Sequence, residues 1–235
     1  MIEAKTLKPR RKPSQSRAWM TAGAIQDAFL INLVENGYER VSMRNIADVA
    51  GVGLGTLYLY FPNKESIAAV TLRSWLRNLA KEIGVAVENS SDGSLRDMTD
   101  AVTTTYIASI YQHSEQWRVL LFVERRITER AVYQDMFQHF VGKLAAGFAQ
   151  AKGLAPSADV QHLAFLAFSI MNAMVRETLQ VLDVLPERET LTRAIQGAVW
   201  GGIAAMLGTS NPATAEIRPL RRHLTVRQPP PNAPR

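Results

Sequence analysis

Residues 41–64 constrain the fold more than any other stretch, because they have the pattern of two short helices joined by a tight turn. Ser42 is a good N-cap, since its hydroxyl can accept a hydrogen bond from a free backbone N–H at the start of a helix. Gly51 stands where the first helix would end in the left-handed conformation. A second helix from about residue 54 must end before Pro62. The pattern predicts a helix-turn-helix, which places its second helix in the DNA major groove.

The same region carries a family resemblance. From residue 25 to residue 67 the chain resembles the DNA-binding domain of the TetR family of bacterial transcriptional regulators, and the joint order and spacing of the matching residues make the signal strong. The resemblance covers roughly a fifth of the chain. The matching residues are Ile25, Ala28, Phe29, Gly37, Tyr38, Ser42, Ile46, Ala47, Ala50, Gly51, Val52, Gly55, Thr56, Leu57, Tyr58, Tyr60, Phe61, Lys64 and Glu65.

The remainder of the chain also has a helical pattern, and no stretch shows the sustained alternation of a strand. We predict an all-α fold of about nine helices, in which a long helix from residue 64 joins an N-terminal three-helix domain to a C-terminal helical domain. Outside the helix-turn-helix, helices are expected at 16–37, 64–87, 95–113, 117–128, 131–152, 158–185 and 187–207. The expected divisions are a flexible basic arm (1–15), the DNA-binding domain (16–63), an effector-binding and dimerisation domain (64–208) and a basic, Pro-rich tail (209–235).

The formal net charge of +6 is concentrated at the two ends of the chain. Residues 1–17 carry six Lys and Arg against one Glu, and residues 216–235 carry five Arg against one Glu, whereas residues 18–215 are net negative. A basic arm beside a helix-turn-helix favours contact with DNA phosphates. The alternative is a solvated tail, which we favour for the Pro-rich C-terminal segment.

Composition argues against a membrane-spanning or secreted protein. The chain has no uninterrupted run of eighteen apolar residues, and its N-terminus lacks an apolar secretory segment. Hydrophobic residues make up 47% of the chain, enough for a buried core, and there is no cysteine for a disulfide or a thiolate metal site. We expect a cytoplasmic protein with no membrane partner.

The resemblance implies which residues contact DNA. Family members often have serine and lysine where this chain has Gly53 and Leu54, and many carry Arg or His at the position of Leu59. The two leucines can contact thymine methyl groups instead, while packing roles for the tyrosines and a plain surface charge for Arg44 remain alternatives. The predicted contacts are Arg44, Gly53, Leu54, Gly55, Thr56, Tyr58, Leu59, Tyr60 and Lys64, with Arg10, Arg11 and Lys12 of the arm.

Aromatic and Met residues are plentiful between residues 75 and 175, and they can either line a cavity between helices or form plain core. Charged residues there, namely Glu124, Arg125, Arg126, Arg176 and Glu177, can supply a polar anchor or can pair on the surface between neighbouring turns. The predicted lining of an effector pocket is Tyr106, Trp117, Phe122, Phe137, Phe140, Met171 and Met174.

The last two predicted helices are apolar around most of their girth, so they must be buried on more than one side. In the resembling family, the last two helices of each subunit pair into a four-helix bundle. We therefore expect a homodimer, with burial inside one subunit as the alternative. The predicted interface residues are Leu163, Ile170, Met174, Ile195, Val199 and Ile203.

An enzyme is the weaker alternative. Asp135 and His139 share a helix face, but no G-x-S-x-G nucleophile motif occurs. His139 and His162 could hold a metal only if two helices brought them together, and no third ligand is suggested; no cofactor or metal is expected. We predict a TetR-like regulator, a repressor released from a palindromic operator by a small, largely apolar effector. A sequence-tolerant architectural DNA-binding protein is the other alternative.

Overall fold

The computed structural model describes residues 16–208, and within that range the chain forms nine α-helices and no strand. The all-α prediction is confirmed. The predicted arm contacts Arg10, Arg11 and Lys12 and the C-terminal tail lie outside the described residues. No helix in the described range is long and apolar enough to cross a membrane. The helices are α1 (Ser16–Asn36), α2 (Met43–Ala50), α3 (Leu54–Tyr60), α4 (Lys64–Asn89), α5 (Leu95–Gln112), α6 (Ser114–Ile127), α7 (Arg130–Phe148), α8 (Val160–Val181) and α9 (Arg188–Met206).

The first three helices pack around one apolar cluster. Phe29 of α1, Ile46 of α2 and Leu57 of α3 are all fully buried. The Ser42 hydroxyl accepts a hydrogen bond from the Asn45 N–H at 3.2 Å and caps α2. Gly51 ends α2 with a φ of 65°, a conformation that a side chain disfavours. Local capping and one shared core therefore hold α2 and α3 as a helix-turn-helix.

Helix α4 belongs to both halves of the molecule. It has 26 residues, so it is about 39 Å long. The Asn63 side chain caps it by accepting from the Ser66 N–H at 2.8 Å. The helix packs against α1 as well as against α5, α6 and α7. A change in the C-terminal helices therefore has a direct mechanical route to the helix-turn-helix.

Helices α5 to α9 form the larger unit, with α8 packed against α6, α7 and α9. Phe140, Phe148 and Phe168 are buried in this unit. Gly147 of α7 faces α4 and α5, because a Cβ atom there would overlap the side chains of Val87 and Met98. The glycine leaves room for these two side chains.

Two helix ends differ from the prediction by four residues. Helix α7 ends at Phe148 rather than at residue 152, because the N–H groups of Gln150 and Ala151 turn back to the carbonyls of Gly147 and Phe148. The Lys152 N–H then donates to the Gly93 carbonyl at 3.0 Å, which draws the chain towards the loop before α5. Helix α8 ends at Val181, four residues before the predicted end, and the chain continues through an exposed turn.

Candidate DNA-binding surface and internal cavity

Helix α3 presents one exposed face. Leu57 is fully buried and anchors the helix, whereas Leu54, Tyr58 and Leu59 are 36%, 42% and 61% exposed. Thr56 lies on the exposed side as well. The helix contains no ionisable acid or base other than its tyrosines. Its face can therefore read DNA through apolar contact with thymine methyl groups and through hydroxyl hydrogen bonds, while cationic phosphate contacts must come from elsewhere.

The backbone at the start of α3 is open. Gly53 is the N-cap and provides no side-chain hydrogen bond to the helix. A Cβ atom at Gly55 would meet nothing within 4 Å. The first N–H groups of a helix lack partners within the helix and suit phosphate oxygens. Arg44 is exposed in the first turn of α2, where it can offer a charge to DNA.

Lys64 makes contacts within the protein that the sequence did not predict. Its ammonium donates to the carbonyls of Tyr38 and Val41 at 2.9 and 3.2 Å, and it lies 4.5 Å from the centre of the Tyr38 ring. Burial is the main reason why the pKa of Tyr38 rises to about 12. Two of the three ammonium donors are thus used on the segment between α1 and α2. Lys64 therefore holds this segment against α4, and its third donor leaves the predicted phosphate contact as a prediction.

A narrow cavity lies inside the C-terminal unit. The space open to the centre of a water-sized sphere is only about 20 Å³, enough for roughly one water molecule. Four of the predicted residues, Tyr106, Trp117, Phe137 and Phe140, line it. A ligand much larger than water must therefore displace side chains to enter. The other lining residues are Leu76, Leu79, Ile110, Leu121, Tyr133, Met136, Phe168, Asn172 and Arg176.

Aromatic rings form one end of the cavity. The Phe140 and Phe168 rings stack nearly parallel at 4.8 Å, and the Phe137 ring meets Phe168 edge-on at the same distance. Phe137 and Met136 are only half-buried on α7, so they lie between the cavity and solvent. Methionine changes shape at low cost. Phe137 and Met136 therefore form the lip of the cavity, the part of its wall best suited to opening.

The other end of the cavity is polar. Asn172 and Arg176 are one turn apart on α8. The Tyr106 hydroxyl donates to Asn172 Oδ1 at 3.3 Å. Arg176 Nη2 lies 2.5 Å from Glu124 Oε2, and the two side chains are 11% and 2% exposed. Burial raises the pKa of Tyr106, so its hydroxyl keeps its proton and can donate.

Three residues predicted to line the pocket lie elsewhere. Phe122 is 51% exposed, with the Arg126 guanidinium 5.2 Å from its ring centre. Met171 is buried and its sulfur lies 3.2 Å from the Thr103 hydroxyl, on a side of α8 that does not face the cavity. Met174 is half-buried on α8 and does not line the cavity either. Aromatic and Met content alone cannot tell which face of a helix points inward.

Four of the six predicted interface residues are core of one subunit. Leu163, Ile195, Val199 and Ile203 are at most 2% exposed within the single chain, so they cannot meet a second copy. Ile170 and Met174 are half-buried. The outer face of α9 instead carries small exposed residues at Ala194, Ala198, Gly201 and Ala205. If α8 and α9 pair with a second copy, this face is available for the contact.

One contact between the two halves was not anticipated from the sequence. Arg126, at the end of α6, forms an ion pair with Glu39, which lies between α1 and α2. The Arg126 guanidinium is the main cause of the lowered pKa of Glu39. Next to it, Arg125 pairs with Glu177 of α8 at 3.0 Å. The end of α6 therefore touches both the cavity helix α8 and the DNA-binding domain.

The histidines show no assembly of a metal site. His162 Nδ1 lies 2.6 Å from Asp159 Oδ2 at the exposed start of α8, and this hydrogen bond is the main cause of the lowered pKa of Asp159. His139 is exposed and its ring lies near that of Phe140. Within residues 16–208, no three His, Asp or Glu side chains are grouped so that they could hold a metal ion.

The molecule combines an exposed helix-turn-helix with a larger helical domain that holds a cavity, and α4 runs through both. This is the arrangement of a two-domain DNA-binding regulator. Residues 32–70 match the model of the bacterial regulatory proteins of the tetR family, and residues 94–196 match the tetracyclin repressor-like C-terminal domain. The chain belongs to the TetR family of bacterial transcriptional regulators.

Individual relatives agree with this assignment. The transcriptional repressor KstR2 of Rhodococcus jostii is 33% identical over 107 residues, which span 46% of this chain and 45% of that protein. An HTH-type transcriptional regulator of Mycobacterium tuberculosis is 27% identical over 188 residues, 75% of this chain and 93% of its own length. The structure of a TetR-family regulator from Mesorhizobium loti has a TM-score of 0.68 at 20% identity, covering 83% of this chain and 98% of that one; it shows the shared fold.

Proposed function

We propose that this protein is a homodimeric repressor that binds a palindromic operator and is released by a small, largely apolar effector. One observation carries the proposal: the exposed face of α3 is held by a fully buried Leu57 on a domain that shares α4 with a cavity-bearing domain. Repression is also the activity named for KstR2. A regulator of this kind works in the cytoplasm, where bacterial DNA lies, and needs no catalytic step or cofactor.

The proposed DNA contacts are Thr56, Tyr58, the two exposed leucines of α3, Arg44 of α2 and the basic arm. Side chains on the α3 face would read base edges, while the arm, Arg44 and the open backbone at Gly53 and Gly55 would position the motif on phosphates. Two copies would place two such helices in successive major grooves, which explains a palindromic site. The dimer would form through α8 and the outer face of α9.

The effector would enter the cavity through the half-buried lip of α7. Because the cavity has almost no free space, ligand entry must move aromatic side chains against α6 and α8. Helix α6 contacts the DNA-binding domain through Arg126 and Glu39, and α4 runs into it directly. A ligand that prefers a shifted arrangement of these helices would favour a state in which the two α3 helices no longer fit the operator.

The test is selection of binding sites from random duplex DNA, followed by affinity measurement on the selected site. Tyr58→Ala and Leu59→Ala should each weaken binding by about tenfold, corresponding to about 1.4 kcal/mol. Leu182→Ala is a matched control, because Leu182 is 40% exposed in the turn after α8 and far along the chain from α3. If both α3 variants bind like the control, α3 does not read the DNA.

A further inference from the structure

The cavity has a polar and an apolar end, and their order follows α8. Phe168, Asn172 and Arg176 are spaced by four residues, so they share one face of that helix. Arg176 lies eight residues after Phe168, so the two are about 12 Å apart along the helix axis. Around Phe168 the wall is aromatic, and towards Arg176 it becomes polar. A ligand lying along α8 would therefore have an apolar body and one polar end.

The polar end of the cavity mainly offers hydrogen-bond donors. Arg176 is ion-paired with Glu124, whose buried oxygens accept no hydrogen bond from residues 16–208 and which does not line the cavity, so the guanidinium N–H groups are the donors that the lining offers. The Tyr106 hydroxyl donates to Asn172 Oδ1, so the group that Asn172 can offer to a ligand is its N–H₂. The matching ligand group is an acceptor oxygen. A ligand bearing only carbon at this end would leave these donors without a partner in the closed site.

The charge at this end is already balanced. The Arg176 cation is paired with the Glu124 carboxylate, which is 2% exposed. A ligand carboxylate would bring a second anion close to Glu124, in a site where a buried charge without its own partner is costly. A ligand cation would face the guanidinium. The ion pair therefore selects against net charge on the buried part of the ligand.

We propose that the cavity takes an uncharged, largely aromatic or alicyclic molecule with one hydrogen-bond acceptor, such as a ketone oxygen, at its end towards Arg176 and Asn172. This rests on the proposed function, since it names the class of effector for the same site. The apolar body of the ligand lies among Phe137, Phe140 and Phe168. The Glu124 carboxylate, paired with Arg176, disfavours a charged ligand.

Three probes of nearly equal size test the ligand class: 4-acetylbiphenyl, 4-isopropylbiphenyl and biphenyl-4-carboxylate. Each is about as long as the ~12 Å axial distance between Phe168 and Arg176 on α8. Binding to the full chain is measured by calorimetry, and release of the selected operator is measured in parallel samples. The wild type should bind the ketone about tenfold more tightly than the hydrocarbon, the low end of the effect of a hydrogen bond to a charged group. It should also prefer the ketone to the carboxylate by about tenfold or more.

The sharpest variant is Glu124→Gln, which keeps the shape of the side chain but leaves Arg176 with an uncompensated positive charge. This change should move the ratio of carboxylate to ketone affinity by about tenfold or more towards the carboxylate. Glu177→Gln is the matched control, because it removes the neighbouring but exposed carboxylate that pairs with Arg125, and it should leave the ratio unchanged. If Glu124→Gln does not fold, Asn172→Leu serves instead and should narrow the preference for the ketone over the hydrocarbon.

Each outcome is decisive. A wild type that prefers the carboxylate, or a ratio that Glu124→Gln does not move, overturns the assigned ligand class, while operator release by any probe leaves the effector function standing. If no probe binds up to its solubility limit, the assigned ligand class is overturned, while release of the operator by a ligand of another class would leave the effector function standing. Binding to the selected operator, measured without probe, tests the DNA half separately.

Discussion

Replacing Arg176 with Met should destabilise the protein strongly, because the change leaves the Glu124 carboxylate almost fully buried without its cation. The two groups are 2.5 Å apart and the carboxylate is 2% exposed. Two unit charges about 4 Å apart interact by roughly 4 kcal/mol at an effective dielectric constant of 20. Removing one partner of a buried pair costs roughly 3–5 kcal/mol. We expect the free energy of unfolding at pH 7 to fall by an amount in this range. Urea unfolding measures it, with the same slope of free energy against urea concentration used for both proteins.

Two further variants control this prediction. Arg125→Met breaks the neighbouring pair with Glu177, whose side chains are 57% and 60% exposed, and it should cost at most about 1 kcal/mol. Adding Glu124→Gln to Arg176→Met removes the unpaired charge and should restore at least about 1 kcal/mol. A cost for Arg176→Met below about 1 kcal/mol would refute the reasoning that the pair is buried and coupled.

Three other predictions follow from the surfaces. Ala198→Glu combined with Gly201→Glu, on the outer face of α9, should give monomers in sedimentation, whereas Ala131→Glu on exposed α7 should not; an unchanged dimer would place the interface elsewhere. Deleting residues 2–13 should flatten the dependence of log affinity on log salt by roughly 0.9 for each phosphate that the arm neutralises, and an unchanged slope would make the arm a solvated tail. Leu54→Ala should weaken discrimination at one T·A pair by at most about 1–3 kcal/mol, whereas Leu54→Lys should tighten binding to all sequences; selected half-sites made only of G·C would contradict this.

The helix-turn-helix was predictable because its signals are local. Ser42, Gly51 and Pro62 mark helix ends within a few residues, and the structure has α2 and α3 where these residues indicate. Lys64 was not predictable in the same way, because its carbonyl partners lie 23 and 26 residues earlier in the chain. Only the packing of α4 against the segment before α2 shows what its ammonium contacts.

The faces of α8 and α9 could not be assigned from the sequence. Both sides of α9 are apolar, so its pattern does not distinguish Ile195 and Val199, which are buried inside the subunit, from Ala194 and Ala198, which are exposed. The Arg176 and Glu124 pair depends on how α6 and α8 align, which no local pattern specifies. The sequence therefore predicts where the helices lie. Only the packed structure shows which face of each helix points inward and which charged residues pair.

The ratio of specific to non-specific DNA affinity, measured at physiological salt, tests the central claim most directly. The measurement uses the best site from the selection and a scrambled duplex of the same length and composition, with the full chain. A regulator that reads bases through α3 should bind the selected site at least about 10³-fold more tightly, and Tyr58→Ala should reduce that ratio. A ratio below about tenfold, with binding that depends on the arm alone, would contradict base reading by α3. It would indicate a sequence-tolerant architectural DNA-binding protein.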